Sequence, residues 1–222
     1  MVDEQALAAQ GFVIHRNVFD RKSRQALFET TYDLVNHWGT PFVTPTMPRT
    51  GQPFSVTQTS FGDVGWVSDA IGGYRYQERH PNGKRWAPIP AQLLELWVRY
   101  CAPYRELPDT CLVNLFRHPT PEKKGSKLGM HRDADEEDVR APIISMSLGA
   151  PCAFRIGGPE RSSPSELLVL NPGDCMILGG KARFWYHGVD RTLATLDNEL
   201  GLTGARMSFT MRRARQPQGG TY

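Results

Sequence analysis

The sequence predicts a mainly β (α+β) fold, a sandwich, jelly roll or barrel, with helices flanking it on the N-terminal side. From Cys111 onward, short apolar runs follow one another without a helical stretch between them. The 21 Gly and 17 Pro residues make 38 of 222, above the roughly 12% of average composition, so turns are frequent. Helical periodicity is confined to the first half of the chain.

With 222 residues, the chain suits one domain with embellishments, or two small ones, at about 100–200 residues per domain. It is long enough to bury a core without a disulfide or metal staple. Its 40% hydrophobic and 22% charged residues exclude a disordered, collagen-like or coiled-coil chain.

At the front, Met-Val-Asp-Glu-Gln has neither the basic start nor the apolar run of a secretory signal. No stretch approaches the roughly 18 apolar residues of a membrane helix. Asp20 is a candidate N-cap for a helix through about His37; Leu27, Thr31, Leu34 and Trp38 share one face, and Gly39 ends it. Pro41 to Pro90 reads as short strands and long loops. It carries Phe42, Phe54, Phe61, Trp66, Tyr74, Tyr76 and Trp86, which suits a binding surface. A second helix is predicted from about Ala91 to Cys101, with Leu93, Leu94, Trp97, Val98 and Cys101 on one face. Pro90 starts it and Pro103 stops it. The predicted strands are Cys111–Phe116, Ile143–Leu148, Ala153–Ile156, Glu166–Leu170, Cys175–Leu178, Ala182–His187 and Arg206–Arg212, punctuated by Gly157-Gly158, Asn171-Pro172-Gly173-Asp174 and Gly179-Gly180. The chain divides into an N-terminal part, 1–90, a core, 91–215, packed with it as one unit, and a flexible tail, 216–222.

The net charge of +3 points by itself to neither nucleic acid nor membrane. Arg206, Arg212, Arg213 and Arg215 form an acid-free basic stretch, and Glu122 to Lys127 is also basic; a solvated face is the simplest account of both. Cys101, Cys111, Cys152 and Cys175 stand singly in apolar surroundings, as reduced core residues of a cytoplasmic protein would.

Chemistry concentrates at Met130 to Asp138. In an extended strand His131 and Asp133 point to one side, where an imidazole and a carboxylate could grip one metal ion. His187, ending the run Phe184 to His187, is the best third ligand. Two His and one carboxylate leave positions open, as in the facial triad of non-haem Fe(II) oxygenases. The blander alternatives are an acidic surface loop from Asp135 to Asp138 and a hydrogen-bonded strand-end histidine at 187. The run Arg206 to Arg212 alternates strictly, with Met207, Phe209 and Met211 on one face and Arg206, Ser208, Thr210 and Arg212 on the other. That polar face belongs either in water or inside a barrel. Inside, its arginines need anionic partners. A dicarboxylic acid suits a guanidinium fork, and Asp133 suits the other arginine. An iron triad with an interior arginine suggests a 2-oxoglutarate-dependent oxygenase.

Asn114-Leu115-Phe116, His131 to Glu136, Arg140 to Gly149, Phe184 to Gly188 and Arg206 to Arg212 together resemble the AlkB family of nucleic-acid dealkylases, in its bacterial alkylation-repair branch. The resemblance runs from about Gly65 to Arg212. It implies a double-stranded β-helix (jelly roll) with an N-terminal nucleotide-recognition lid. The implied activity is DNA repair by oxidative demethylation of 1-methyladenine or 3-methylcytosine in single-stranded DNA, with RNA or duplex DNA as other substrates. Fe(II), 2-oxoglutarate and O2 would be used, and formaldehyde, succinate and CO2 released, the base being flipped into the pocket.

By the same resemblance His131, Asp133 and His187 match the iron ligands. Asn114, Arg206 and Arg212 match cosubstrate positions, with Arg206 on the far carboxylate and Arg212 near the metal and Asp133. Trp66 and Tyr74 match base-contacting aromatics of the lid, with Tyr76 close by, and Asp135 an acid at the edge of the base pocket. Lys127 and Arg161 match basic positions along the nucleic-acid path, and Arg132 joins them. Phe116 and Ser208 depart from the Tyr and Asn often found there, which implies weaker cosubstrate binding. Arg117 to Lys124 reads as an insertion. The expected protein is a monomer that engages no membrane. Two other readings fit the same motifs: an oxygenase of the same chemistry acting on protein or a small molecule, and a non-catalytic nucleic-acid-binding jelly roll.

Overall fold

A computed structural model describes residues 2–195, 201 and 204–216. Most of the expected tail, 217–222, therefore lies outside the described residues. The helices are α1 (Glu4–Ala9), α2 (Arg21–Trp38) and α3 (Ala91–Tyr100). The strands are β1 (Phe12–His15), β2 (Thr57–Gly62), β3 (Gly65–Asp69), β4 (Gly73–Gln77), β5 (Thr110–Phe116), β6 (Leu128–His131), β7 (Ile143–Gly149), β8 (Cys152–Ile156), β9 (Glu166–Leu170), β10 (Cys175–Leu178), β11 (His187–Thr192) and β12 (Arg206–Arg212). A 3₁₀ turn, Gly180–Phe184, precedes β11.

The strands form a six-stranded sheet, β1-β10-β7-β12-β5-β2, facing a four-stranded one, β6-β11-β8-β9, with β3 and β4 as a separate hairpin. The named pairings are antiparallel and join strands remote in sequence, as the jelly-roll expectation required. Strands β1 and β2, from the N-terminal ninety residues, edge the large sheet.

Two apolar clusters make three layers. One packs α2 and α3, through Leu27, Val35, Leu93, Leu96 and Trp97, onto Val113, Met146, Met207, Phe209 and Met211. The other lies between the sheets and includes Phe12, Phe116, Ile143, Phe154, Ile156, Leu170 and Leu178. The alternation of β12 therefore has neither face in water: Met207, Phe209 and Met211 meet the helices, while Arg206, Ser208 and Arg212 are buried on the other side.

Both long helices follow the predicted punctuation. Asp20 accepts from the Ser23 N–H as N-cap, and Gly39 closes α2 in the left-handed region with φ 61°. Their faces are rotated from the expected ones. Val35 is buried while Trp38 is 37% exposed, and Leu96 is buried while Val98 is 66% exposed. The i, i+3, i+4 stripe that meets the sheet wins over the residues nearest the solvent edge.

Two local expectations are corrected. Ala182 to His187 is not a strand: Gly180 takes φ +50° and starts the 3₁₀ turn, so His187 begins a strand instead of ending one. The His131/Asp133 pair is not wholly on a strand, because β6 stops at His131 and Asp133 lies in the following loop. The acidic run after it is not a surface loop, since Glu136 and Asp138 are buried. Nor is the C-terminal basic stretch a solvated face. Arg206 and Arg212 are internal, and Arg215 lies 3.4 Å from Asp109 and 3.3 Å from Asp63.

All four cysteines are free and buried. Burial pushes the Cys101 thiol up to about 12 and raises Cys111, Cys152 and Cys175 as well. A thiol held protonated and covered is unreactive. Ellman's reagent at pH 8 should therefore label none of the four quickly in the native protein, and all four in guanidinium. Rapid native labelling would contradict this closed core.

Candidate active site

The two sheets enclose a cavity of about 480 Å³. Its walls include Asn114 and Phe116 of β5, Ser145 of β7, and Arg206, Ser208, Thr210 and Arg212 of β12. His131, Asp133 and His187 face them, and the β3–β4 hairpin adds Trp66, Tyr74 and Tyr76. The residues from β5, β7 and β12 are there because one face of each strand turns inward, opposite the face that meets the helices.

His131 and His187 meet because β6 and β11 pair in register at these two residues. Gly188 permits the approach: a Cβ there would lie 2.6 Å from the Leu128 carbonyl oxygen. Asp133 completes the group, with Oδ1 3.6 Å from His131 Nε2 and Oδ2 3.7 Å from His187 Nε2. One ligand atom from each residue lies within 4.8 Å of the others. Each imidazole turns Nδ1 to a backbone carbonyl, Gly129 for His131 and Trp185 for His187, both at 2.9 Å. A carbonyl only accepts, so Nδ1 carries the proton and Nε2 keeps its lone pair for a metal. Burial, aided by His131 and opposed by Asp133, pushes His187 down to about 4, so it is the neutral ligand form. Burial alone would raise Asp133; Arg212, then His187 and His131, overcome it and hold the carboxyl well below the usual range.

The carboxylate is fixed by a buried network. Arg212 Nη2 donates to Asp133 Oδ2 at 2.8 Å, and its Nε lies 3.4 Å from Glu136 Oε1. Tyr76 donates to the same Glu136 oxygen at 2.7 Å. Arg183 Nη2 reaches the other Glu136 oxygen at 3.2 Å. The sequence reading did not find Glu136 or Arg183 as site residues. Glu136 lay in an acidic run beside the His131/Asp133 pair, the one signal available. Nothing in the spacing of Arg183 marked it.

Arg206 is 2% exposed, yet only its Nη2 has a hydrogen bond, to Ser147 Oγ at 2.9 Å. Among the described residues, its buried Nε and Nη1 have no partner. Its guanidinium carbon sits 5.2 Å from the centre of the Phe116 ring. Asn114 and Ser208 are register partners across β5 and β12, so a polar patch continues from Arg206 towards the metal-type cluster. A buried cation with unfilled donors is costly unless an anion arrives. A dicarboxylate that binds a metal at one end and Arg206 at the other fits this donor set.

Trp66 and Tyr74 stack with ring centres 5.5 Å apart. Trp66 Nε1 donates to Asp135 Oδ2 at 2.9 Å. Tyr76 is turned inward to Glu136 and is not stacked with them. Arg161 donates to the Met130 carbonyl at 3.0 Å and lies over the Tyr186 ring, as does Arg132. Lys127 is exposed and does not line the cavity. Arg117 and residues 119–124 are exposed.

Comparison with known proteins agrees with this arrangement. The model of the 2OG-Fe(II) oxygenase superfamily matches residues 11–212. The chain is 40% identical over 218 residues to the alpha-ketoglutarate-dependent dioxygenase AlkB homolog of Caulobacter vibrioides, covering 97% of this chain and 93% of that one. It is 34% identical over 209 residues to the alpha-ketoglutarate-dependent dioxygenase AlkB of Escherichia coli, covering 90% and 91%. The solved structure of OsALKBH1 shares the fold, with a TM-score of 0.71 at 24% identity over 91% of this chain and 97% of that one.

Calorimetry should find one Co(II) bound per chain. His131→Ala, Asp133→Ala and His187→Ala should each weaken it by at least the ~10–100-fold typical of lost supporting residues. With metal present, 2-oxoglutarate at about 100 times its Kd should stabilise the protein by ~2.7 kcal/mol. Arg206→Met should remove most of that stabilisation, and its retention would count against Arg206 as the carboxylate partner.

Proposed function

Because the chain belongs to the 2OG-Fe(II) oxygenase superfamily, and within it to the AlkB family, we propose that this Fe(II)- and 2-oxoglutarate-dependent dioxygenase demethylates alkylated bases in nucleic acid. The substrate proposed is 1-methyladenine or 3-methylcytosine in single-stranded DNA, and the role is repair of alkylation damage by a monomeric, cytoplasmic enzyme. Residues 1–90 would serve as extension and lid for the core at 91–215. The single observation behind the reading is one cavity that joins the His131–Asp133–His187 cluster and the half-satisfied Arg206 to the aromatic pair Trp66 and Tyr74.

In this reading His131 and His187 offer Nε2, and Asp133 one oxygen, to Fe(II). When bound, iron with 2-oxoglutarate and O2 supplies the oxidising power for hydroxylating an N-methyl group. Overall, the methylated base, 2-oxoglutarate and O2 become the unmethylated base, formaldehyde, succinate and CO2. Arg206, oriented by its hydrogen bond to Ser147, holds the far carboxylate, and Asn114 and Ser208 flank the dicarboxylate. Arg212 keeps Asp133 ionised and oriented. Trp66 and Tyr74 offer a stacking surface, worth about 1–3 kcal/mol per base. Asp135 accepts from the exocyclic amine of the base once Trp66 Nε1 gives way, and its charge favours a cationic methylated base over the neutral parent. Arg132, Arg161 and Lys127 attract the phosphate backbone, an attraction that weakens with salt.

The test is mass spectrometry of a single-stranded oligonucleotide carrying one 1-methyladenine, incubated aerobically with protein, Fe(II) and ascorbate. Loss of one methylene mass only when 2-oxoglutarate is added is the expected result. An unchanged oligonucleotide, with 2-oxoglutarate still converted slowly to succinate, would shift the reading to a protein or small-molecule substrate. Phe116→Tyr should tighten 2-oxoglutarate binding, since Phe116 lines the cavity and the added hydroxyl can hydrogen-bond the cosubstrate. An unchanged or higher Kd would show that the phenyl ring under the guanidinium serves equally well.

A further inference from the structure

Two segments far apart in the chain must meet before the metal site exists. One carries His131 and Asp133, the other His187. The β6–β11 ladder fixes the two histidines against each other, but Asp133 has already left the strand. Its side chain is held by Arg212. Its main chain is held by a different residue.

Arg183 lies in the 3₁₀ turn that leads into His187, and its side chain is 4% exposed. Its guanidinium spends its fork on three acceptors of the His131/Asp133 segment. Nη1 donates to the Asp133 carbonyl at 3.0 Å, Nη2 to Glu136 Oε2 at 3.2 Å, and Nε to the Ala141 carbonyl at 2.7 Å. One residue thus staples the start and end of the loop bearing Asp133 to the segment bearing His187. Glu136 supplies the charge that lets the cation be buried, and Arg212 and Tyr76 share that carboxylate. A lysine could not reach these acceptors together, because only the planar fork presents donors in three fixed directions.

We infer that Arg183 is a positioning residue of the metal centre, which sets the place of Asp133 relative to His187 before any metal binds. The inference goes beyond the proposed substrate and rests only on His131, Asp133 and His187 being the metal ligands. Its test is Co(II) titration of the full chain by calorimetry, with the visible ligand-field spectrum and the melting temperature recorded for each variant. Arg183→Lys keeps the charge and loses the fork. Arg183→Met with Glu136→Gln removes both charges of this pair and leaves Arg212 paired with Asp133. Both should bind Co(II) about 10–100-fold more weakly, with an altered spectrum. The double variant should melt at a higher temperature than Arg183→Met alone without regaining Co(II) affinity, which a purely structural role would not produce. Wild-type affinity and spectrum in Arg183→Lys and the double variant, with binding lost in Asp133→Ala, would overturn the inference alone. Wild-type binding in Asp133→Ala would overturn the metal-site reading and the inference with it.

Discussion

A carboxylate kept ionised inside the protein is the constraint on which the site depends. Asp133 sits between two imidazoles and one guanidinium, and burial by itself pushes its carboxyl towards the neutral form. Arg212 prevents that, but a buried arginine needs more than one oxygen of one acid. Glu136 supplies the second carboxylate, and Arg183 and Tyr76 then complete Glu136. Each added charge calls for the next until the network closes. Removing one member of such a network strands its partner in a medium that solvates it poorly. The network also ties together the loop after β6, strand β12, the turn before β11 and the β3–β4 hairpin.

Arg206 shows the opposite arrangement. It lies at the other end of β12 and is as deeply buried as Arg212, yet two of its nitrogens have no partner among the described residues. Unfilled buried donors cost about 1–3 kcal/mol each when left dry. The Phe116 ring lies against the Arg206 guanidinium. Such donors suit an anionic partner. One strand thus holds an arginine paired with Asp133 and Glu136 beside the His131–Asp133–His187 cluster, and another with no carboxylate partner among the described residues a short distance away, with Ser208 and Thr210 between them.

The hairpin of β3 and β4 reaches the site through two contacts of different kinds. Tyr76 is locked into the buried network. Trp66 bonds to Asp135, which is exposed and outside that network. The inner side of the hairpin is therefore anchored, while the Trp66 contact can exchange with water or with another donor. A surface built in this way keeps the stacked rings of Trp66 and Tyr74 in place.

Much of this was legible in the chain. Strand alternation, turn residues and caps depend on neighbours a few positions away, so the ends of β9, β10 and β12 and the caps of α2 could be read directly. The arginine ladder of β12 was visible for the same reason, since a period of two assigns faces without knowing what lies opposite; the His131/Asp133 pair was visible by its ligand types, although Asp133 lies beyond the strand. The sequence could not show which face of β12 met water, because that depends on layers on both sides of the sheet. Nor could it show that Ala182 to Phe184 curls into a turn; Arg183 there is drawn to carbonyls some forty to fifty residues away. The identities of Glu136 and Arg183 as site residues, and the unfilled state of Arg206, are facts about buried charge. Whether a charge is buried, and what compensates it, is decided by segments that become neighbours only when the sheets close on each other.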